Sequence, residues 1–268
     1  MRKAVAIFLI ILPTLVEGQV APLFQQLIAT SPVKPSLRES EKLSTFIQKM
    51  QQQEVKSEKK FLRSIFKATH QKFLKTYSEY ADLGEVFQNG RFDCLTATAL
   101  LSIILSQTHF DYKIIETNYH IFILVNTTNG QVLLETTDRL SGFVDDPTEI
   151  SRRIGAYRQS TITNYDNVND KMYYHYSFNL FHEVNPNQLA GLLYFNQAVK
   201  SYNKQDLLAC ASLLELSKRI YESPRVEELA VVLIKSIIES DLSTAVKSRV
   251  IQQYKNYVLS KGSPVASR

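Results

Sequence analysis

Apolar residues recur at helical spacing from Leu37 to about Gln53 and again from Ser57 to Tyr80, where Leu62, Ile65, Phe66, Phe73, Leu74 and Tyr77 mark one stripe. The spacing predicts two amphipathic helices whose aromatic stripe packs into a core. After the loop LGEVFQNGRFD comes CLTATALLSIILSQ, apolar on nearly all sides, which predicts a buried helix. Asp93 is placed to cap that helix, Cys94 falls in its first turn, and Thr96, Ala97, Thr98 and Ala99 are small enough to let the turn sit close against a sheet.

Three strand-like runs follow: Tyr112 to Glu116, Tyr119 to Val125 and Gln131 to Asp138. Asn129-Gly130 between the last two signals a hairpin. A three-residue loop with Gly130 left-handed pairs Thr127 with Gln131, so that paired positions sum to 258 and His120 stands opposite Asp138. A two-residue loop shifts the sum to 259 and makes the two diagonal neighbours.

Asp146-Pro147, with Glu149 three residues after Asp146, opens another helix. A polar loop from about Ser160 to Asp170 leads to an alternating run at Tyr174, Tyr176, Phe178 and Leu180, read as a strand of the same sheet. Asn185-Pro186 then starts a region of four helices and no strand. In it Tyr202 and Ala211 keep the spacing of the tyrosine and alanine of a tetratricopeptide repeat, a single degenerate copy that fits an ordinary helical bundle as well. The earlier residues 19–36, with Pro22, Pro32 and Pro35, read as a leader or linker.

Composition adds a compartment. MRKAVAIFLIILPTLVEG has a basic start, an apolar run too short to span a bilayer, and small residues before a cut at Gly18, the form of a cleaved secretory signal. Removing Arg2, Lys3 and Glu17 leaves 29 basic and 25 acidic residues, a charge of +4 in place of +5. That balance, without a nucleic-acid module motif, excludes a nucleic-acid partner from the reading. Cys94 and Cys210 fall in different predicted regions, so two thiols are expected.

A cysteine nucleophile needs a thiolate-favouring site, such as a helix N-terminus or a histidine. A histidine base needs an acceptor on its second nitrogen to fix the tautomer. Cys94, His120 and Asp138 meet these needs by position and register. The other histidines do not: His70 lies on an amphipathic helix, His109 in a loop, and His175 and His182 in a strand without metal-ligand spacing. No metal or nucleotide motif is present, so neither a metal nor a cofactor is expected. The Cys94 backbone N–H is one oxyanion donor.

In this order, Cys94 in FDCLTATAL, His120 in YHIFILV and Asp138 in LLETTD, the chain resembles the transglutaminase-like superfamily of papain-like folds across roughly Ser57 to Val144. It departs from true transglutaminases in having no tryptophan and no recognisable calcium-site acidic cluster. The resemblance implies an α+β fold, a papain/transglutaminase-like core of a buried helix against an antiparallel sheet followed by an all-α helical domain. The expected division is a signal peptide at 1–18, a leader at 19–36, a transglutaminase-like domain at 37–184, a tetratricopeptide-like domain at 185–260 and a tail at 261–268. It further implies Cys94 as nucleophile, His120 as base and Asp138 as orienter, acting on an amide bond of a protein or peptide substrate through a thioester, and it offers Gln88, six residues before Cys94 as the oxyanion glutamine stands in papain-like proteases, as second oxyanion donor, with Asn89 as competitor. Water or an amine resolves that thioester. The alternative is a catalytically silent scaffold whose helical tail binds a protein partner. Either way the chain is expected to be secreted or periplasmic, without stable membrane insertion once the signal is cut.

Overall fold

The computed structural model describes residues 22–118, 120–159 and 180–262. The signal peptide, the run at Tyr174, Tyr176 and Phe178, His175 and most of the tail lie outside them.

Ten helices and seven strands are described. The first, α1 (Pro22–Ala29), falls in the stretch read as leader or linker. It is a helix because Phe24, Leu27 and Ile28 share one face, and that face is buried in the main core. The expected amphipathic pair is α2 (Leu37–Gln51), opened by a Ser36–Glu39 capping box, and α3 (Glu58–Lys72). Next come β1 (Thr76–Tyr77), α4 (Leu83–Gln88) and β2 (Arg91–Phe92), with Tyr77 paired to Phe92. The buried helix is α5 (Cys94–Gln107), in which every residue from Leu95 to Leu105 is buried.

A five-stranded antiparallel sheet packs on α5. Its strands are β3 (Asp111–Thr117), β4 (Ile121–Thr127), β5 (Gly130–Leu134), β6 (Phe143–Val144) and β7 (Phe181–Val184), in the order β6-β5-β4-β3-β7. Alternation splits the sheet between two apolar layers. Ile114, Ile121, Ile123, Val125, Val132 and Leu134 join the core with α5, whereas Ile115, Phe122, Leu124 and Leu133 join a smaller cluster with Ile150 of α6 (Pro147–Gln159). The chain is thus mixed helix and sheet, with helices at its C-terminal side.

The hairpin is where the reading needs correction. Thr127 pairs with Gly130 and Ile123 with Leu134, so paired positions sum to 257, neither 258 nor 259. Gly130 does take positive φ, at 100°, but it sits inside the ladder and only Thr128 and Asn129 form the turn. A one-residue slip reverses which side chains share a face. Continued past Leu134, the register puts Glu135 on the face of Phe122 and His120, and Thr136 on the face of α5. The strand also ends early. Asp138 Oδ1 accepts from the N–H groups of Leu140 (3.0 Å) and Ser141 (2.8 Å), and the Glu135 N–H donates to Gly142 O at 2.7 Å. Gly142 permits this closure, because a Cβ there would lie 2.1 Å from Glu135 O.

From Asn185, the capping residue, the chain is helical: α7 (Pro186–Asn203), α8 (Leu207–Lys218), α9 (Pro224–Glu239) and α10 (Thr244–Gly262). The change to helix alone comes where the sequence places it, but one continuous core runs across that point, from Phe24 of α1 to Tyr254 of α10. Polar bonds fasten α7 along its length: Gln197 to Thr30 O (3.0 Å), Lys200 to Asp82 (2.9 Å) and Asn196 to Asp93 (2.8 Å). Both cysteines are free thiols, Cys210 fully buried in α8.

His70 of α3 carries a pH dependence. Its ring is 2% exposed, lies 4.6 Å from Phe66, and among the described residues its Nε2 has no hydrogen-bond partner. Burial, helped by Arg139 and partly offset by Asp138, lowers its pKa to about 4 from 6.5. Below pH 6.5 the unfolded chain therefore takes up a proton that the folded one refuses, and stability falls until the folded site titrates near pH 4, by about 3 kcal/mol. Urea unfolding of the wild type and His70→Leu at pH 7 and pH 4 should show the difference between them move by that amount in favour of Leu. A movement under about 1 kcal/mol would mean that the ring accepts a proton inside the fold.

Candidate functional site

A cavity of about 370 Å³ opens where the N-terminus of α5, one end of the sheet and α7 meet. Its walls come from four parts of the chain. The end of β1 and the segment after it give Tyr77 and Tyr80, the start of α5 gives Asp93, Cys94 and Leu95, the sheet end gives Glu116, Asn118, His120 and Ile121, and the helical region gives α7 residues with Arg225 of α9.

Cys94 is the first residue of α5 and partly buried. Asp93 caps the helix as expected, its carboxylate accepting from the Thr96 N–H at 2.8 Å while Thr96 Oγ1 accepts from the Asp93 N–H at 2.9 Å. Thr136, turned to this side by the register, donates from Oγ1 to Cys94 O at 3.2 Å and meets Thr98 Oγ1 at 3.3 Å. Burial, then the carboxylates of Asp93 and Glu135, push the thiol up to about 12, although the Leu95 and Cys94 N–H groups pull the other way. The resting side chain is a neutral thiol.

The partner of His120 is Glu135, bonded to Nε2, and not Asp138. Glu135 also accepts from Tyr157 Oη (3.0 Å) and from Thr137 N–H (3.2 Å) and Oγ1 (2.7 Å). Burial would raise its pKa, but the His120 and Thr137 bonds outweigh that and hold it below the usual value, so it is a carboxylate at neutral pH. Tyr157 packs at 5.4 Å from the imidazole and Phe122 at 6.4 Å. Among the described residues Nδ1 has no hydrogen-bond partner, and no hydrogen bond joins His120 to Cys94.

Of the sequence-derived candidates, Cys94 and His120 line one cavity. Asp138 serves a turn, for the register reason given above. Gln88 is also displaced: α4 buries Leu83, Val86 and Phe87, which leaves Gln88 and Asn89 exposed at its end and away from the cavity lining.

Sequence reasoning missed an ionic cluster at the sheet end. Glu116, 1% exposed, accepts from Tyr221 Oη (2.6 and 2.7 Å), pairs with Arg225 Nη1 at 3.0 Å and meets His182 Nε2 at 3.2 Å. Arg225 Nη2 also donates to Thr117 O and Asn118 O. The only local signal was a glutamate directly after the apolar pair Ile114-Ile115 in β3.

Among the described residues no group of three or more His, Cys, Asp and Glu is placed to hold a metal ion, and no helix is long and apolar enough to cross a membrane. No family model, curated protein or solved structure matches the chain.

Proposed function

We propose that the chain is an exported transglutaminase-like cysteine hydrolase or acyltransferase that acts on an amide bond of a peptide or protein, with Cys94, His120 and Glu135 as its triad. The observation that carries this is the shared cavity: a cysteine on a helix N-terminus and an imidazole oriented by a carboxylate line the same space. With Nε2 committed to Glu135, Nδ1 is the nitrogen that takes the thiol proton. Cys94 Sγ then attacks the amide carbonyl carbon, and the Cys94 and Leu95 N–H groups, which have no carbonyl partner within the helix in its first turn, turn to the oxyanion. The imidazolium gives its proton to the leaving nitrogen as the C–N bond breaks, leaving a thioester. Water or an amine attacks the thioester carbonyl, returning the proton through His120 to the thiol.

This route begins from a thiol and needs no resting thiolate, consistent with a Cys94 pushed up to about 12. The bond from Cys94 to His120 has to form as substrate enters, as catalytic hydrogen bonds commonly do. The same two observations favour a second reading, a silent scaffold whose outer helical faces, those of α8 to α10, bind a protein partner.

p-Nitrophenyl acetate separates the two. The enzyme reading expects the wild-type mass to increase by one acetyl group located on Cys94, with no increase in Cys94→Ala and a rate lower by roughly 10²–10⁴ in His120→Ala. A wild type acetylated no faster than free cysteine would leave the scaffold.

A further inference from the structure

One wall of the cavity belongs to α7, and it has a chemistry of its own. Leu192, Phe195 and Val199 recur three and four residues apart, which puts them on one stripe of the helix. They are 4%, 3% and 5% exposed, yet all three line the cavity, so the little surface they offer faces it. Leu95, next to Cys94, and Ile121, next to His120, continue this apolar lining from the other side. The stripe is held against the nucleophile's helix by Asn196, whose Nδ2 donates to the Asp93 cap one residue before Cys94.

We propose that this α7 stripe is the acyl-side subsite of the Cys94 centre and that it takes an uncharged aliphatic or aromatic acyl chain. The proposal rests on the cysteine-acyl reading above and specifies its substrate class. An anionic chain would meet Asp93, Glu116 and Glu79 around the same cavity. A cationic chain would find the two buried carboxylates already bonded, Asp93 to Thr96 and Asn196, Glu116 to Arg225, Tyr221 and His182, leaving only the exposed Glu79 to meet it. An apolar chain leaves these bonds intact and covers carbon with carbon. The volume, about 370 Å³, lies at the small end of ligand cavities and suits one side chain or short acyl group. The helical region is, on this view, a wall of the reaction site.

The test is a series of p-nitrophenyl esters on the full chain: acetyl, butyryl, hexanoyl, a hemisuccinyl ester ending in carboxylate and a 6-aminohexanoyl ester. Each Cys94 acylation rate constant, read by intact mass, is divided by that of the same ester with free cysteine. Butyryl should exceed acetyl by about fifteenfold and hexanoyl by about 250-fold, from roughly fourfold per buried methylene, with both charged esters below butyryl. Val199→Thr, nearly isosteric but bearing a hydroxyl, should lower the hexanoyl-to-acetyl ratio about fivefold. If no ester acylates Cys94 faster than free cysteine, the cysteine-acyl reading falls and this inference with it. If Cys94 is acylated but the ratio is flat, or a charged ester leads, or Val199→Thr leaves the ratio unchanged, the apolar subsite alone is overturned.

Discussion

Glu135→Gln should slow acetylation of Cys94 by roughly 10²–10⁴ while Asp138→Asn changes it by less than about threefold. The carboxylate of Glu135 accepts the Nε2 proton, which leaves the Nδ1 lone pair directed away from it, and its charge stabilises the imidazolium formed when the thiol proton arrives. Glutamine retains an acceptor but removes the charge, at the moment in the reaction when His120 is positive. Asp138 contributes a turn through one oxygen that accepts from Leu140 and Ser141, a task asparagine performs equally well. Circular dichroism of both variants keeps unfolding apart from chemistry. A crippled Asp138→Asn beside an active Glu135→Gln would restore the 258 register and remove Glu135 from the site.

The second large effect concerns stability. Arg225→Ala should cost about 3–5 kcal/mol, measured by urea unfolding at pH 7, because it strands a carboxylate in the interior. Burial already raises the pKa of Glu116, against the pull of Arg225, Tyr221 and His182. Removing the guanidinium raises it further and also deprives the carbonyls of Thr117 and Asn118 of their shared donor. The loss should shrink as the pH falls and Glu116 takes up a proton, which cancels the stranded charge. Adding Glu116→Gln to Arg225→Ala should recover at least about 1 kcal/mol, since a neutral amide is less costly to bury than an unpaired carboxylate. A loss below about 1 kcal/mol in the single variant would show that water reaches Glu116 once the arginine is gone.

These two sites also mark what could be read from the sequence. The buried helix was legible because CLTATALLSIILSQ is apolar on nearly all sides, and its cap because Asp93 stands directly before it. The hairpin was legible from Asn129-Gly130, but its register turns on whether one glycine belongs to the loop or to the ladder, a choice of a fraction of a turn's backbone energy that local sequence does not settle. That choice decided the acid: Glu135 and Asp138 both lie in LLETTD, three residues apart, on opposite sides of the slip. The segment Pro22–Ala29 was obscured by the prolines around it, since eight residues are marginal as a helix without a surface to pack on. Arg225 left no local trace at all, because 108 positions separate it from the Thr117 carbonyl it holds.

The continuous core has a consequence in time. A ribosome delivers the chain from its N-terminus, so Cys94, His120 and Glu135 all emerge well before Leu192 to Val199 and Arg225, which complete the cavity. At ordinary synthesis rates the interval from Cys94 to Arg225 is on the order of ten seconds. Until then the first turn of α5 lacks the Asn196 bond on its cap, and the loop before His120 lacks the arginine that holds its carbonyls. Cys94 is made early and the walls around it last, so the cavity stays open on one side until α9 has been synthesised.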